Sequence, residues 1–134
     1  MIVIDANVFL ASVLKDEMHA AAQEFCQAIL SGTTITVVPC LFRYEVANAF
    51  CMSLRRKRIS QLVYERFITL TANFPMQIDD EQKMGAVSDL ACMYGLTIYD
   101  AAYIEIAKRR ELPLATFDKA MLRCARKENI TILF

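Results

Sequence analysis

Four acidic residues of this chain stand where a folded protein would begin or end its elements: Asp5, Glu45, Asp100 and Asp118. Asp5 directly follows the apolar run Ile2–Ile4, which is typical of a buried strand. A buried, unpaired carboxylate costs several kcal/mol or shifts its pKa. Two carboxylates about 5 Å apart repel each other by roughly 3 kcal/mol at an effective dielectric of about 20. If the four converge, they require raised pKa values or a cation.

Metal-assisted hydrolysis of a phosphodiester is the chemistry that a converging acidic cluster favours. A hard divalent ion such as Mg²⁺ prefers carboxylate oxygens and keeps waters at its open positions. The ion makes a bound water more acidic and stabilises charge on phosphate oxygens. The residue types therefore indicate a metal-dependent hydrolase, while they leave open which phosphodiester it cleaves.

Each acidic residue also has a purely structural interpretation. Asp5, Asp100 and Asp118 could be helix N-caps, because a carboxylate there accepts backbone N–H groups and suits the helix dipole. Glu45 could be a solvated helix residue. Capping does not require the four carboxylates to meet, so their convergence separates the two interpretations.

The elements that would position these residues alternate along the chain. Apolar and β-branched runs predict strands at Ile2–Ile4, Thr34–Val38, Met76–Ile78, Leu114–Thr116 and Ile130–Phe134. Apolar residues at helical spacing predict helices over Ala6–Leu14, Met18–Leu30, Leu41–Leu54, Ser60–Phe74 with Ser60 as the cap, Asp80–Tyr94, Tyr99–Arg109 and Lys119–Arg126. Pro39 is expected to break the second strand, and Gly95 to end a helix.

Strands separated by helices predict an α/β fold, with a central parallel sheet between two layers of helices. Ligands of such folds bind at the carboxyl ends of the strands. Asp5, Thr116 and Asp118 follow predicted strands directly. No linker or repeat interrupts the pattern, so we expect a single domain over residues 1–134.

Composition narrows the class of protein. The chain has 134 residues, of which 56% are apolar, and its 15 basic residues balance its 15 acidic residues. The five cysteines lack a C-x-x-C spacing, which predicts buried, reduced thiols in a cytoplasmic protein. No apolar run reaches the roughly 18 residues that cross a bilayer. Asp5 and Asn7 interrupt the apolar start and argue against a secretion signal.

Other enzyme classes fit less well. His19 is the only histidine, which excludes a two-histidine ribonuclease mechanism. A haloacid-dehalogenase-like phosphatase would have a second aspartate where Asn7 stands. The motifs of serine hydrolases, zinc proteases and P-loop proteins do not occur.

Two basic runs are candidates for contact with nucleic acid. The first contains Arg55, Arg56, Lys57 and Arg58, and the second is Lys108–Arg110. Both fall at predicted helix ends, where the helix dipole stabilises cations without any ligand. The first run is the better candidate for contacting phosphate or a partner.

Three segments occur in a telling order: MIVIDANVFL, PCLFRYEVANAF and LTIYDAAYIEIAKRRELPLATFD. Together they resemble the PIN domain family. The size and the spacing of the segments are similar, more narrowly, to the VapC-type toxins of bacterial toxin–antitoxin pairs. The resemblance covers nearly the whole chain and implies a PIN-like three-layer fold and a Mg²⁺- or Mn²⁺-dependent ribonuclease.

The resemblance also implies roles for individual residues. It assigns the metal-binding and catalytic acidic cluster to Asp5, Glu45, Asp100 and Asp118, and the accompanying hydroxyl to Thr116. Asn7 and Asn48 match polar positions of the same motifs. With the first basic run, Asn7 completes a set of expected RNA-binding residues: Asn7, Arg55, Arg56 and Arg58.

One residue departs from the family pattern. Phe117 stands where a small or polar residue is more usual, and it affects the expected shape of the loop rather than the cluster.

The toxin analogy implies three partners: an RNA substrate, a separate small antitoxin laid over the helical surface and the site, and a second copy of the chain in a homodimer. The alternative is a noncatalytic PIN-like protein that binds RNA or serves as a scaffold. The presence of all four carboxylates argues against that alternative. Nuclease activity that EDTA abolishes would separate the two.

Overall fold

The computed structural model describes residues 1–14 and 19–133. Its strands are β1 (Ile2–Ile4), β2 (Thr36–Pro39), β3 (Met76–Asp79) and β4 (Leu114–Ala115). Its helices are α1 (Ala6–Val13), α2 (Ala20–Leu30), α3 (Phe42–Arg55), α4 (Gln61–Asn73), α5 (Met84–Tyr94), α6 (Ile98–Arg109) and α7 (Lys119–Lys127). Helices follow strands along the chain, as the sequence predicts.

The strands form one sheet in the order β3-β2-β1-β4, and every neighbouring pair is parallel. Val3 in β1 lies opposite Val37 in β2 and opposite Leu114 in β4. Because all strands point the same way, their carboxyl ends lie at one edge of the sheet. The predicted α/β fold with a central parallel sheet flanked by helices is confirmed.

Both faces of the sheet are covered. Val3 and Ile4 are fully buried, as are Val37 and Val38. Successive side chains of a strand point to opposite faces, so buried neighbours require helices on both sides. Helix α6 packs against β1, β2 and β4. This helix therefore crosses the sheet beside the ends that carry the candidate residues.

Helix α5 begins later than the sequence suggests. The predicted helix starts at Asp80, but α5 starts at Met84. Asp79 accepts a hydrogen bond from the Glu81 backbone N–H at 3.2 Å, and the Gln82 side chain donates to the Ala102 carbonyl at 3.0 Å. Such side-chain bonds compete with helix formation, so the segment before Met84 is not helical.

Strand β2 and the end of the chain also differ from the prediction. Pro39 is the last residue of β2 rather than its breaker, and it lies opposite Asp79 of β3. The predicted strand Ile130–Phe134 is reduced, within the described residues, to one parallel bridge between Leu114 and Ile132. Strand β4 has only two residues and offers little backbone for pairing. Phe134 lies outside the described residues, as does Met18 at the start of the second predicted helix.

The cysteines are less buried than predicted. Cys26 and Cys124 are buried, but Cys51 is half-buried, and Cys40 and Cys92 are exposed. The longest helix, α3, has 14 residues. Over residues 1–14 and 19–133, no helix has the length and apolar character that crossing a membrane would take.

Candidate active site

Asp5 occupies the carboxyl end of β1, where the chain turns into α1. Its side chain is only 6% exposed. Oδ2 accepts a hydrogen bond of 2.6 Å from the Thr116 hydroxyl, and Oδ1 lies 3.5 Å from the Asn7 backbone nitrogen. Burial raises the pKa of Asp5 from 3.8 to about 7, although the bonds from Thr116 and Asn7 act in the opposite direction. Asp5 is the N-cap of α1, but its capping contact is long.

Glu45 lies in the first turn of α3, the helix that follows β2. It is half-buried, and its Oε2 accepts a hydrogen bond of 2.5 Å from the Tyr103 hydroxyl. Burial raises the pKa of Glu45, while the bond from Tyr103 acts in the opposite direction. A solvated surface position would give neither effect, so the structural interpretation of Glu45 is wrong.

Asp100 lies in the first turn of α6 and is not its N-cap. Thr97 is the N-cap, and its hydroxyl accepts from the Asp100 backbone N–H at 3.0 Å. The same hydroxyl donates to Oδ2 of Asp100 at 2.7 Å. The capping interpretation of Asp100 is therefore wrong, and its half-buried carboxylate is held by a neighbouring side chain.

Three of these carboxylates act on one another. Burial is the largest cause of the raised pKa of Asp5, and the negative charges of Glu45 and Asp100 raise it further. The charge of Asp100 also raises the pKa of Glu45. Within residues 1–14 and 19–133, no lysine, arginine or histidine forms an ion pair with any of the three. This edge of the sheet therefore carries negative charge without a neutralising side chain nearby.

Asp118 is placed differently. It is the N-cap of α7, and Oδ1 accepts hydrogen bonds of 2.8 Å from the backbone N–H groups of Ala120 and Met121. Its own backbone N–H donates to the Thr116 hydroxyl at 3.0 Å. The capping interpretation is correct for Asp118. The residue is still linked to Asp5, because the Thr116 hydroxyl contacts both.

Asn7 and Asn48 match the motif unequally in the fold. The side-chain oxygen of Asn7 accepts a hydrogen bond of 3.3 Å from the Phe117 backbone N–H. Asn7 thus ties the start of α1 to the loop that precedes α7, a positioning role that the sequence did not suggest. Asn48 is exposed one turn after Glu45 on α3. The ring of Phe117 packs against the His19 ring, with 4.6 Å between centroids.

The chemistry of the donor set fits a hard divalent ion. Over residues 1–14 and 19–133, no group of three or more aspartate, glutamate, histidine or cysteine side chains stands ready to surround a metal. Mg²⁺ does not require such a cage, because it usually binds one or two carboxylates and retains its waters. Asp5 and Glu45 are suited to hold it, since both are partly desolvated acids whose ionised forms lack a cationic partner among the described residues.

The two basic runs have different surroundings. Arg55 lies at the far end of α3 from Glu45, about 15 Å away along the helix axis, and Arg55 to Arg58 are exposed. In the second run, Arg109 pairs with Asp79 at 2.6 Å and with Glu105 at 2.8 Å. The second run is therefore part of the fold's own ion-pair network.

Tyr103 is a residue that sequence reasoning missed. It is fully buried and reaches Glu45 from α6. Burial raises its pKa, as does the charge of Glu45, so the hydroxyl stays protonated and can donate. Its position three residues after Asp100 puts both on one face of α6, and this spacing was the available signal.

The chain is similar to known proteins in sequence pattern and in fold. The family model described as the PIN domain matches residues 2–127. Among solved structures, the crystal structure of PAE2754 from Pyrobaculum aerophilum has a TM-score of 0.70 and 23% sequence identity, over 97% of this chain and 81% of that chain. At that identity the likeness concerns the fold. No curated protein matches this chain in sequence.

Proposed function

The chain belongs to the PIN domain family, whose members are typically nucleases, and we propose that it is a metal-dependent ribonuclease that acts as the toxin of a toxin–antitoxin pair. Residues 1–134 would form one such domain. The observation that supports this activity most strongly is the mutual influence of Asp5, Glu45 and Asp100, which face no neutralising cation among the described residues. Structural carboxylates are normally paired, so unpaired ones at a ligand-binding edge favour a site.

In this proposal Asp5 and Glu45 hold Mg²⁺ or Mn²⁺, with Asp100 and Asp118 completing the acidic surroundings. The ion supplies Lewis-acid stabilisation of charge on the phosphate and lowers the pKa of the attacking water. Thr116 orients Asp5 through its hydroxyl, and Tyr103 orients Glu45. Fixed ligands of this kind reduce the cost of organising the site during the reaction.

The proposed reaction is the hydrolysis of an RNA phosphodiester. The oxygen of a water molecule forms a bond to phosphorus, and the bond from phosphorus to one ester oxygen breaks. The departing ester oxygen takes up a proton, while the attacking water releases one. The products are a phosphate monoester and a free hydroxyl group, and no oxidant or reductant is needed.

The toxin role and the RNA substrate rest on the similarity of the segments to VapC-type toxins. This similarity implies a small antitoxin protein and a homodimer as further parts of the proposal. A toxin should arrest growth when it is expressed alone, and a short reading frame beside its gene should encode the protein that relieves the arrest. Light scattering of the purified chain would measure its oligomeric state.

The decisive experiment measures RNA cleavage by the purified chain with Mn²⁺, with EDTA, and after Asp5→Asn. We expect cleavage with Mn²⁺ alone. Glu111→Gln is a suitable control, because Glu111 is exposed in the turn after α6. Binding of RNA without cleavage under any of these conditions would instead favour the noncatalytic RNA-binding or scaffolding protein.

A further inference from the structure

Two exposed tyrosines stand beside the acidic cluster. Tyr44 directly precedes Glu45, and Tyr99 directly precedes Asp100. Tyr44 is 78% exposed and Tyr99 is 63% exposed. Each ring therefore presents most of its surface to solvent at the start of a helix that also carries a site carboxylate.

The remaining tyrosines are built into the fold. Tyr103 is buried against Glu45, Tyr94 donates to Glu128 at 2.5 Å, and Tyr64 is half-buried against the core. Single exposed aromatic residues are common on protein surfaces. Here, however, both highly exposed tyrosines adjoin cluster acids, and packing within the described part of the chain does not account for either ring.

The geometry limits how far the rings can be from the site. Consecutive Cα atoms lie about 3.8 Å apart, so Tyr44 and Tyr99 start next to Glu45 and Asp100. Both helices begin at the cluster, α3 at Phe42 and α6 at Ile98. The two rings therefore border the approach to the carboxylates from two different helices.

Cations lie next to the same positions. Arg43 is exposed beside Tyr44 in the first turn of α3, and Lys119 is exposed beside Asp118 at the start of α7. Arginine and lysine side chains bind phosphate oxygens, and aromatic faces bind unpaired bases. The border of the cluster thus carries both groups that a nucleotide chain requires.

We infer that Tyr44 and Tyr99 are base-stacking platforms, and that the substrate bound at this site is single-stranded RNA whose bases pack on the two rings while Arg43 and Lys119 contact its phosphates. This inference rests on the proposed ribonuclease function and names the form of its substrate. Bases within a duplex already stack on one another and do not offer their faces. The two rings therefore select unpaired RNA over the same sequence in a duplex.

The test measures binding separately from cleavage. The parent protein is Asp5→Asn with Mg²⁺, and the probe is a fluorescent, unstructured RNA oligonucleotide, alone or annealed to its complement. We expect Tyr44→Ala and Tyr99→Ala each to weaken binding of the single strand by about fivefold or more. Binding of the duplex should be weak and should not change. Tyr44→Phe and Tyr99→Phe should bind like the parent, because phenylalanine keeps the ring.

Two controls separate stacking from general apolar contact. Leu62→Ala alters a side chain that is 58% exposed at the start of α4, and it should leave RNA binding unchanged. Tyr44→Leu and Tyr99→Leu keep apolar bulk but lose the ring, so they should bind as weakly as the alanine variants. Leucine variants that bind like the parent would overturn the inference and favour a protein partner at this surface.

Unchanged single-strand affinity in both alanine variants would also overturn it. The assay reads affinity, whereas the ribonuclease proposal is tested by EDTA-sensitive cleavage. Stacking can therefore fail while the nuclease stands. If the chain does not cleave RNA but the alanine variants still lose single-strand affinity, the stacking role stands and the nuclease proposal fails.

Discussion

The Thr116 hydroxyl donates a 2.6 Å hydrogen bond to Oδ2 of Asp5 across 111 residues of sequence. The bond joins the carboxyl ends of β1 and β4, the two neighbouring strands at that side of the sheet. Both partners are buried, so each depends on the other for a hydrogen bond.

Thr116→Val should therefore destabilise the protein. Valine keeps the shape of threonine but removes the donor, which leaves the Asp5 carboxylate less satisfied in a buried position. We expect a loss of about 1–3 kcal/mol in the free energy of unfolding at pH 8, measured by urea denaturation. Thr116→Ser keeps the hydroxyl and should preserve most of that stability. Equal losses in both variants would show that packing of the methyl group matters more than the hydrogen bond.

Asp5→Asn should stabilise the metal-free protein at high pH. The raised pKa of Asp5, about 7, means that the folded state holds a proton which the unfolded state has already released. As pH rises from about 4 to about 7, ionisation of Asp5 therefore lowers the stability of the wild type. An asparagine side chain does not ionise, so the variant should exceed the wild type by about 1 kcal/mol or more at pH 8 in EDTA, and by less at pH 5.

The same substitution should reduce RNA cleavage by orders of magnitude, because it removes a ligand of the catalytic ion. Cleavage with Mn²⁺ and unfolding in EDTA should be measured on one preparation. If Asp5 served only as a helix cap, the variant would lose modest stability and keep near-normal activity. That pattern would rule out the mechanism.

Divalent metal should raise the melting temperature of the wild type. A ligand that binds only the folded state stabilises it by about 2.7 kcal/mol at a concentration a hundredfold above its dissociation constant. Asp5→Asn should reduce the shift seen with Mn²⁺ or Mg²⁺, whereas Glu111→Gln should retain it. Calorimetry that detects no binding of either ion to the wild type would exclude the proposed metal site.

Tyr103→Phe should impair the site without large unfolding. The variant keeps the buried ring and loses the hydroxyl that holds Glu45. Loss of a residue that orients a metal ligand typically costs about 10- to 100-fold in metal affinity or activity. Because the bond from Tyr103 lowers the pKa of Glu45, its loss should also move the acidic limb of the pH–rate profile to higher pH. A purely structural Tyr103 would leave this profile unchanged.

Replacing Arg55, Arg56 and Arg58 by alanine should weaken RNA binding and flatten its salt dependence. Each lost phosphate contact releases fewer counterions, so the slope of log affinity against log salt should fall by about 1 per contact. Titrations at several salt concentrations measure both quantities. Arg126→Ala, an exposed residue in the last turn of α7, is the control. An unchanged slope in the triple variant would mean that the run is a solvated helix end.

Local sequence determined most of the elements and the positions of the acidic residues along them. Strand β1 and the helix after it follow from a short apolar run and a helical stripe, which involve only neighbouring residues. The Ser60 cap was predicted for the same reason, and its side chain accepts from the Val63 N–H at 3.3 Å. The parallel sheet then follows from the alternation of elements.

Tertiary packing decided which of these residues interact. The bond from Tyr103 to Glu45 joins α6 to α3 across 58 residues, and no spacing within one element predicts it. The carboxylate of Asp118 looked equivalent to that of Asp5, yet its Oδ1 caps α7. A period of 2 or 3.6 residues reports which face of an element is buried, whereas hydrogen-bond partners and pKa values depend on where the other elements pack.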